Sequence, residues 1–284
     1  PDTMESARYS AMRERSVGLG VMGFHSFLQK KRIPFESVMA KVWNKRIFSQ
    51  IKEEADKASI LLANEKGACP DAKEYGVNER FSNKIAIAPT ASISIICGGA
   101  SPGIEPIAAN SFTQKTLSGS FNVRNTHLKN LLAEKGKDNE ETWSSITINK
   151  GSVQHLEFLD DSEKAVFKTA FELDQRRIIE LAGDRTPYVC QAQSLNIFLK
   201  PDVNKRDLHM IHFSAWKRGV KSLYYLRSLS IQRAEVVSHN KKTTEVPIKG
   251  KINQGEQPYG DQLDYDECLS CLLYTSDAAD DRSW

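Results

Sequence analysis

The chain has 284 residues, room for one large domain or two ordinary ones, and its 40% hydrophobic and 26% charged residues point to a packed core rather than wholesale disorder. Lys plus Arg number 39 against 36 Asp plus Glu, a net charge of +3 that is too balanced for a nucleic-acid footprint. No run of about 18 apolar residues suggests a membrane span, and five cysteines in a chain this long imply a reducing, cytoplasmic setting rather than a secreted disulfide framework.

The opening residues, Pro1-Asp2-Thr3-Met4-Glu5, include neither an initiator Met nor a signal peptide, so upstream sequence is expected. Met4 to Lys31 reads as a helical stretch. Ser37 is placed to cap a long helix with apolar residues at Val38, Val42, Ile47, Ile51 and Leu62, closing at Gly67. A short apolar strand, Ile85 to Ala88, is stopped by Pro89. Further helices are expected from Asn125 to Glu134, from Ser162 to Ala182 and from Leu208 to Arg218. Gln193 to Leu199 and Ser222 to Leu226 read as strands. Helices between short, nearly continuous apolar strands predict an α/β fold with a parallel sheet. From Arg227 to Glu267 the sequence is rich in Lys, Glu, Gln, Asn and Gly with no apolar period, which reads as a flexible tail. That divides the chain into a folded unit over 1–226 and a tail over 227–271.

Three places could carry chemistry. Pro89-Thr90-Ala91-Ser92-Ile93 follows the 85–88 strand, where free backbone N–H groups and two hydroxyls suit a phosphate. The ordinary reading is a strand-to-helix turn with Thr90 and Ser92 as caps. Tyr224 and Tyr225 end a strand, where neighbours point to opposite faces and usually just pack. The alternative is an aromatic relay for an electron and a proton, with ring centroids about 4.5–7 Å apart in a stacked or offset arrangement. Cys268 and Cys271 form a C-x-x-C in the tail, suited to a redox dithiol or, less well, to a metal, since zinc needs about four ligands. Cys69 and Cys190 read as structural, and His209 and His212 as packing residues.

Taken together, these features resemble the C-terminal part of the class I ribonucleotide reductase large subunit. The likeness is carried by Arg15-Ser16-Val17-Gly18-Leu19-Gly20-Val21, Pro89-Thr90-Ala91-Ser92, Gly103-Ile104-Glu105-Pro106 and Leu117-Ser118-Gly119. It continues through Gln193-Ser194-Leu195-Asn196, the run from Trp216 to Tyr225, and Asp266-Glu267-Cys268-Leu269-Ser270-Cys271. The resemblance implies the second half of a ten-stranded α/β barrel with a disordered tail, belonging to an enzyme that reduces ribonucleoside diphosphates by a thiyl-radical mechanism. It makes Pro89, Thr90, Ala91, Ser92 and Ile93 the diphosphate site, Tyr224 and Tyr225 the last radical relay, and Cys268 and Cys271 a dithiol shuttle. Implied partners are a small metal-radical subunit, thioredoxin or glutaredoxin, ATP and dNTP effectors acting on the whole chain, and a second large subunit. No cofactor or metal is expected in this segment. The family's Asn-x-Cys-x-Glu loop, its two barrel cysteines and its regulatory domain have no match here and are expected upstream, so the segment alone should not turn over. Residues 272–284, with Leu272 to Asp280 resembling a translated sequencing adapter, are read as non-native. The competing readings are a non-redox phosphosugar-binding α/β domain, in which the two tyrosines lie apart, and an interaction domain with a zinc-binding tail.

Overall fold

The computed structural model describes residues 4–116 and 119–228, with the backbone alone for 114–116 and 119–121. The helical stretch expected over 4–31 is broken. α1 (Glu5–Glu14) ends where Arg15 turns left-handed, and α2 (Phe24–Lys30) begins only after Gly23. Between them the chain is extended, and Leu19 enters a parallel bridge with Ile85. The intervening glycines permit this: a Cβ at Gly20 would lie 2.9 Å from the Ala86 carbonyl oxygen.

α3 (Val38–Lys66) follows the expected limits. The Ser37 hydroxyl accepts from the Ala40 N–H at 3.2 Å, and the chain leaves the helix at Gly67 with φ of +82°. α4 (Pro70–Glu74) starts on a proline, whose missing N–H costs nothing at that position. The segment 83–88 then runs beside residues 17–19, with Leu19 N–H donating to the Lys84 carbonyl at 2.8 Å. α5 (Ala91–Ile96) is a short helix, and β1 (Ser111–Thr116) and β2 (Gly119–Arg124) form an antiparallel hairpin that sequence reasoning missed.

α6 (Thr126–Glu134) is capped by the Asn125 side chain, and α7 (Glu140–Ile148) by Asn139. The single helix expected over 162–182 is two: α8 (Asp161–Val166) and α9 (Gln175–Arg185). Glu172 breaks it by accepting from the Thr169 N–H at 2.7 Å, closing a turn, and Asp174 then caps the new helix. The apolar stripe ran on because its two halves serve different cores, Val166 and Phe167 one and Ile178 and Leu181 the other. Gly183 lies inside α9 rather than beyond it.

A 3₁₀ turn (Thr186–Tyr188) leads to a stretch where Ile87 bridges Gln193 in parallel and then to β3 (Ile197–Leu199). α10 (Lys205–Lys217) starts three residues early because Asn204 caps it, its side chain accepting from the Arg206 N–H at 2.9 Å. β4 (Leu226–Ser228) pairs in parallel with β3, Ile197 opposite Leu226, so regular structure runs past the boundary expected after Leu226.

Four extended segments therefore lie side by side in parallel, and helices carry the chain between them, as parallel neighbours require. The main core gathers Phe24, Leu28, Phe48, Ile85, Ile178 and Leu195 beneath this layer. A second core, with Leu128, Leu132, Trp143, Ile146 and Phe167, joins α6, α7 and α8. Among the described residues no helix is long and apolar enough to cross a membrane.

Candidate functional site

The site is organised by a buried loop, residues 101–107, that crosses the ends of the parallel segments. Ser101 and Ile104 are 0% and 1% exposed, yet the loop carries the carboxylate of Glu105 at 5%. Buried backbone must find partners, and here alternate residues are anchored from different elements. The Ser101 hydroxyl accepts from the Ser26 N–H at 3.1 Å, while the Ser26 hydroxyl accepts from the Ser101 N–H at 2.8 Å. Gly103 N–H donates to the Thr90 hydroxyl oxygen at 2.8 Å. Ile107 N–H donates to His25 Nδ1 at 3.0 Å. Gly103 sits so close to the second segment that a Cβ there would lie 3.0 Å from the Ala88 oxygen, and its φ is +47°.

Glu105 holds Asn196 twice. Its Oε1 accepts from the Asn196 backbone N–H at 2.8 Å and its Oε2 from the Asn196 side-chain amide at 3.1 Å. With its amide nitrogen so used, Asn196 presents Oδ1 to the Tyr225 N–H at 3.0 Å. Tyr225 in turn accepts at its carbonyl from Ile197 N–H at 2.9 Å, and Tyr224 N–H donates to Leu195 at 2.9 Å. Lys221 secures the approach to the pair, with Nζ 3.3 Å from the Val189 carbonyl and also bonded to that of Cys190.

The two tyrosine rings lie together, centroids 4.2 Å apart and planes at 58°. That is closer than sequence reasoning expected, and tilted rather than stacked. The rule that neighbours face opposite sides fails here because regular strand begins only at Leu226. Both tyrosines are exposed, each at 37%, and the Arg227 guanidinium sits 5.4 Å from the Tyr225 centroid.

Thr90 occupies the cap position of α5 but does not cap it. Its φ of +54° is left-handed, an uncommon conformation for a β-branched residue, and its oxygen is given to Gly103. A hydroxyl still has a proton to donate after accepting. Ser92 and Ile93 are exposed, Ala91 is buried and Pro89 half-buried. The amides of Ser92 and Ile93 precede the first intrahelical donor of α5, the Ser94 N–H, which bonds the Thr90 carbonyl at 2.9 Å. The 101–107 loop thus links Thr90 at one point to the tyrosine pair at another.

His25 is fully buried, and burial pushes its imidazole down to about 3. Its ring packs edge-on against Phe35 at 5.2 Å. Cys69 is buried; Cys190 is exposed rather than buried, though its Sγ accepts from the Ile85 N–H at 2.9 Å. Cys97 is exposed. His212 bonds the Leu208 carbonyl at 2.9 Å and His209 stacks on Phe213 at 6.2 Å, so both make contacts within α10. Among the described residues no three His, Cys, Asp or Glu side chains gather as a metal site. Cys268 and Cys271 lie outside the described residues.

Sequence reasoning quoted Glu105 and Asn196 without giving either a role. The available signal was a lone carboxylate in the apolar run Gly103-Ile104-Glu105-Pro106-Ile107, which has to be paired if buried. His25 gave no signal of its own.

A family model described as "Ribonucleotide reductase, barrel domain" matches residues 2–75 and 70–226. The chain is 48% identical over 244 residues to the ribonucleoside-diphosphate reductase large subunit of Invertebrate iridescent virus 6, covering 84% of this chain and 25% of that protein. It is 44% identical over 248 residues to the subunit of the same name from Invertebrate iridescent virus 3, covering 86% of this chain and 39% of the relative. The Actinobacillus ureae class Id ribonucleotide reductase alpha subunit superposes with a TM-score of 0.71 at 43% identity, over 78% of this chain and 40% of that one. The chain thus spans well under half the length of these relatives.

Proposed function

The chain belongs to the ribonucleotide reductase barrel-domain family, and on that premise we propose that it supplies the second half of the barrel in a large subunit reducing ribonucleoside diphosphates. The products are 2′-deoxyribonucleoside diphosphates for DNA synthesis. In that reaction a cysteine radical from upstream sequence abstracts a ribose hydrogen, the 2′-hydroxyl leaves as water, and a cysteine pair is oxidised to a disulfide. The described residues contribute binding and the delivery of the radical.

Residues Pro89 to Ile93 hold the diphosphate. The Ser92 and Ile93 amides at the start of α5 and the Thr90 hydroxyl proton are donors that follow directly on the extended segment 83–88, the kind of place where α/β folds bind ligands. Tyr224 and Tyr225 pass the radical from a small metal-radical subunit. A phenol loses its electron and proton together, which avoids a buried charge. The observation that carries this reading is the ring contact at 4.2 Å between adjacent tyrosines, which a plain strand would separate. Cys268 and Cys271 return electrons to the active-site disulfide and are themselves reduced by thioredoxin or glutaredoxin. The full subunit works as a homodimer in the cytoplasm, under ATP and dNTP control.

The experiment uses the full-length subunit with its small partner. Tyr224→Phe and Tyr225→Phe should each abolish turnover while ribonucleoside diphosphate binding stays intact. Normal turnover in either would end the relay. Cys268→Ser and Cys271→Ser should lose turnover with thioredoxin but keep it with a small dithiol. Equal loss with both reductants would make the cysteines structural.

A further inference from the structure

We infer that Glu105 is a positioning residue for the tyrosine pair, acting through Asn196 to hold Tyr224 and Tyr225 in register with the loop that carries Thr90. This rests on the relay reading above and adds to it a buried carboxylate whose placement that reading leaves unexplained.

The argument begins with cost. A carboxylate at 5% exposure is expensive to bury, and Glu105 sits between Ile104 and Pro106, with nothing apolar gained from its head group. Both of its oxygens accept from Asn196, at 2.8 and 3.1 Å. Asn196 is itself 4% exposed. Occupying the Asn196 amide nitrogen settles which way that side chain faces, since the NH₂ must point to the carboxylate and Oδ1 away from it. Oδ1 then meets the Tyr225 N–H at 3.0 Å. A neutral acceptor at Glu105 would impose the same orientation less firmly, because hydrogen bonds to a charged partner are about twice as strong.

The consequence falls on the backbone between the two rings. Tyr224 N–H is bonded to Leu195, Tyr225 N–H to the Asn196 side chain, and the Tyr225 carbonyl to Ile197 N–H. Of these three, only the middle bond depends on a side chain. It is also the bond that turns the backbone out of the ordinary strand pairing, before regular strand begins at Leu226. Rings on adjacent residues meet only where that pattern is interrupted. At the other end, two residues before Glu105, Gly103 N–H holds the Thr90 oxygen. One short buried loop therefore ties the distance between the phosphate-binding turn and the tyrosines to a pair of side-chain bonds.

The test uses the full-length subunit with its small partner and measures kcat, KM, diphosphate binding and thermal unfolding. Glu105→Gln turns an acceptor into a donor facing the Asn196 amide. It should lower kcat by about tenfold or more, with KM within about twofold, a tenfold loss being about 1.4 kcal/mol. The double variant Glu105→Gln with Asn196→Asp restores every donor to an acceptor and should recover most of the lost kcat. Asn196→Ala leaves the backbone N–H bond to Glu105 but removes the Tyr225 acceptor, and should lower kcat in the same way. It carries the test if Glu105→Gln does not fold. Wild-type kcat in Glu105→Gln or Asn196→Ala, or a rise in KM with kcat unchanged, would overturn the inference. Tyr225→Phe is run alongside. If it is inactive while Glu105→Gln is normal, the inference fails and the relay stands; if it turns over normally, the relay itself is wrong.

Discussion

The two hydrophobic cores of this chain differ in what they bury with their apolar side chains. The second core, around Leu128, Trp143, Ile146 and Phe167, is closed by local devices: Asn125, Asn139 and Asp160 each cap the helix that follows them. The first core lies under the parallel segments and is threaded with buried polar groups brought from far apart. Asn44 donates to the Leu181 carbonyl at 2.9 Å and accepts from Arg185 at 3.0 Å, Gln175 holds the Phe198 N–H, and Glu105 holds Asn196. Polar groups in a core are stable only when partnered, and partners that lie 91 positions apart exist only in the folded state. Every described candidate for chemistry belongs to the first region. The second is packing, and a seam joins the two where Asn125, which caps α6, donates to Gln29 of α2 at 3.0 Å.

The contrast is broken most strongly by truncating the second core. Trp143 is 1% exposed and donates from Nε1 to Asp138 at 2.7 Å. Trp143→Ala should cost about 3–5 kcal/mol of stability, read by denaturant unfolding. If the second core only packs, kcat per folded molecule should hold.

The next effect comes from pH. His25 is neutral when buried and titrates at about 3, against 6.5 for the free side chain. The unfolded chain therefore binds the extra proton, and stability falls as pH drops from 6.5 toward 3. At about 1.4 kcal/mol per pH unit the loss is about 2 kcal/mol at pH 5. His25→Asn, which can keep the acceptor for Ile107 N–H, should flatten that part of the profile. An unchanged slope would show that the loop anchor is not the titrating group. The smallest effect is a cap. Ser37→Ala should cost about 1 kcal/mol, seen as a modest fall in the unfolding midpoint with no change in KM.

How much of this was legible follows the same division. The limits of α3 could be read because Ser37 and Gly67 act on their own helix, and Asn125 marks the start of α6 for the same reason. The break between α8 and α9 was hidden because one apolar stripe serves two cores, and only the Glu172 turn and the Asp174 cap divide it. The hairpin of β1 and β2 was missed, since its pairing of Ser111 with Arg124 leaves no apolar stripe in the sequence. For the candidate site, Tyr224, Tyr225 and Thr90 were legible as residue types. The contact between the rings was not, because the Tyr225 N–H is taken by the Asn196 side chain from 29 positions away and regular strand begins only at Leu226. Thr90 was expected as a cap, and the approach of Gly103 gave its oxygen another use.

The most direct measurement places one variant from each region side by side in the full-length subunit with its small partner: Tyr225→Phe from the first and Trp143→Ala from the second. Turnover, diphosphate binding and the unfolding midpoint are recorded for both. The expected result is no turnover in Tyr225→Phe at a wild-type midpoint with binding intact, and a lowered midpoint in Trp143→Ala with kcat per folded molecule preserved. Wild-type turnover in Tyr225→Phe would contradict the account.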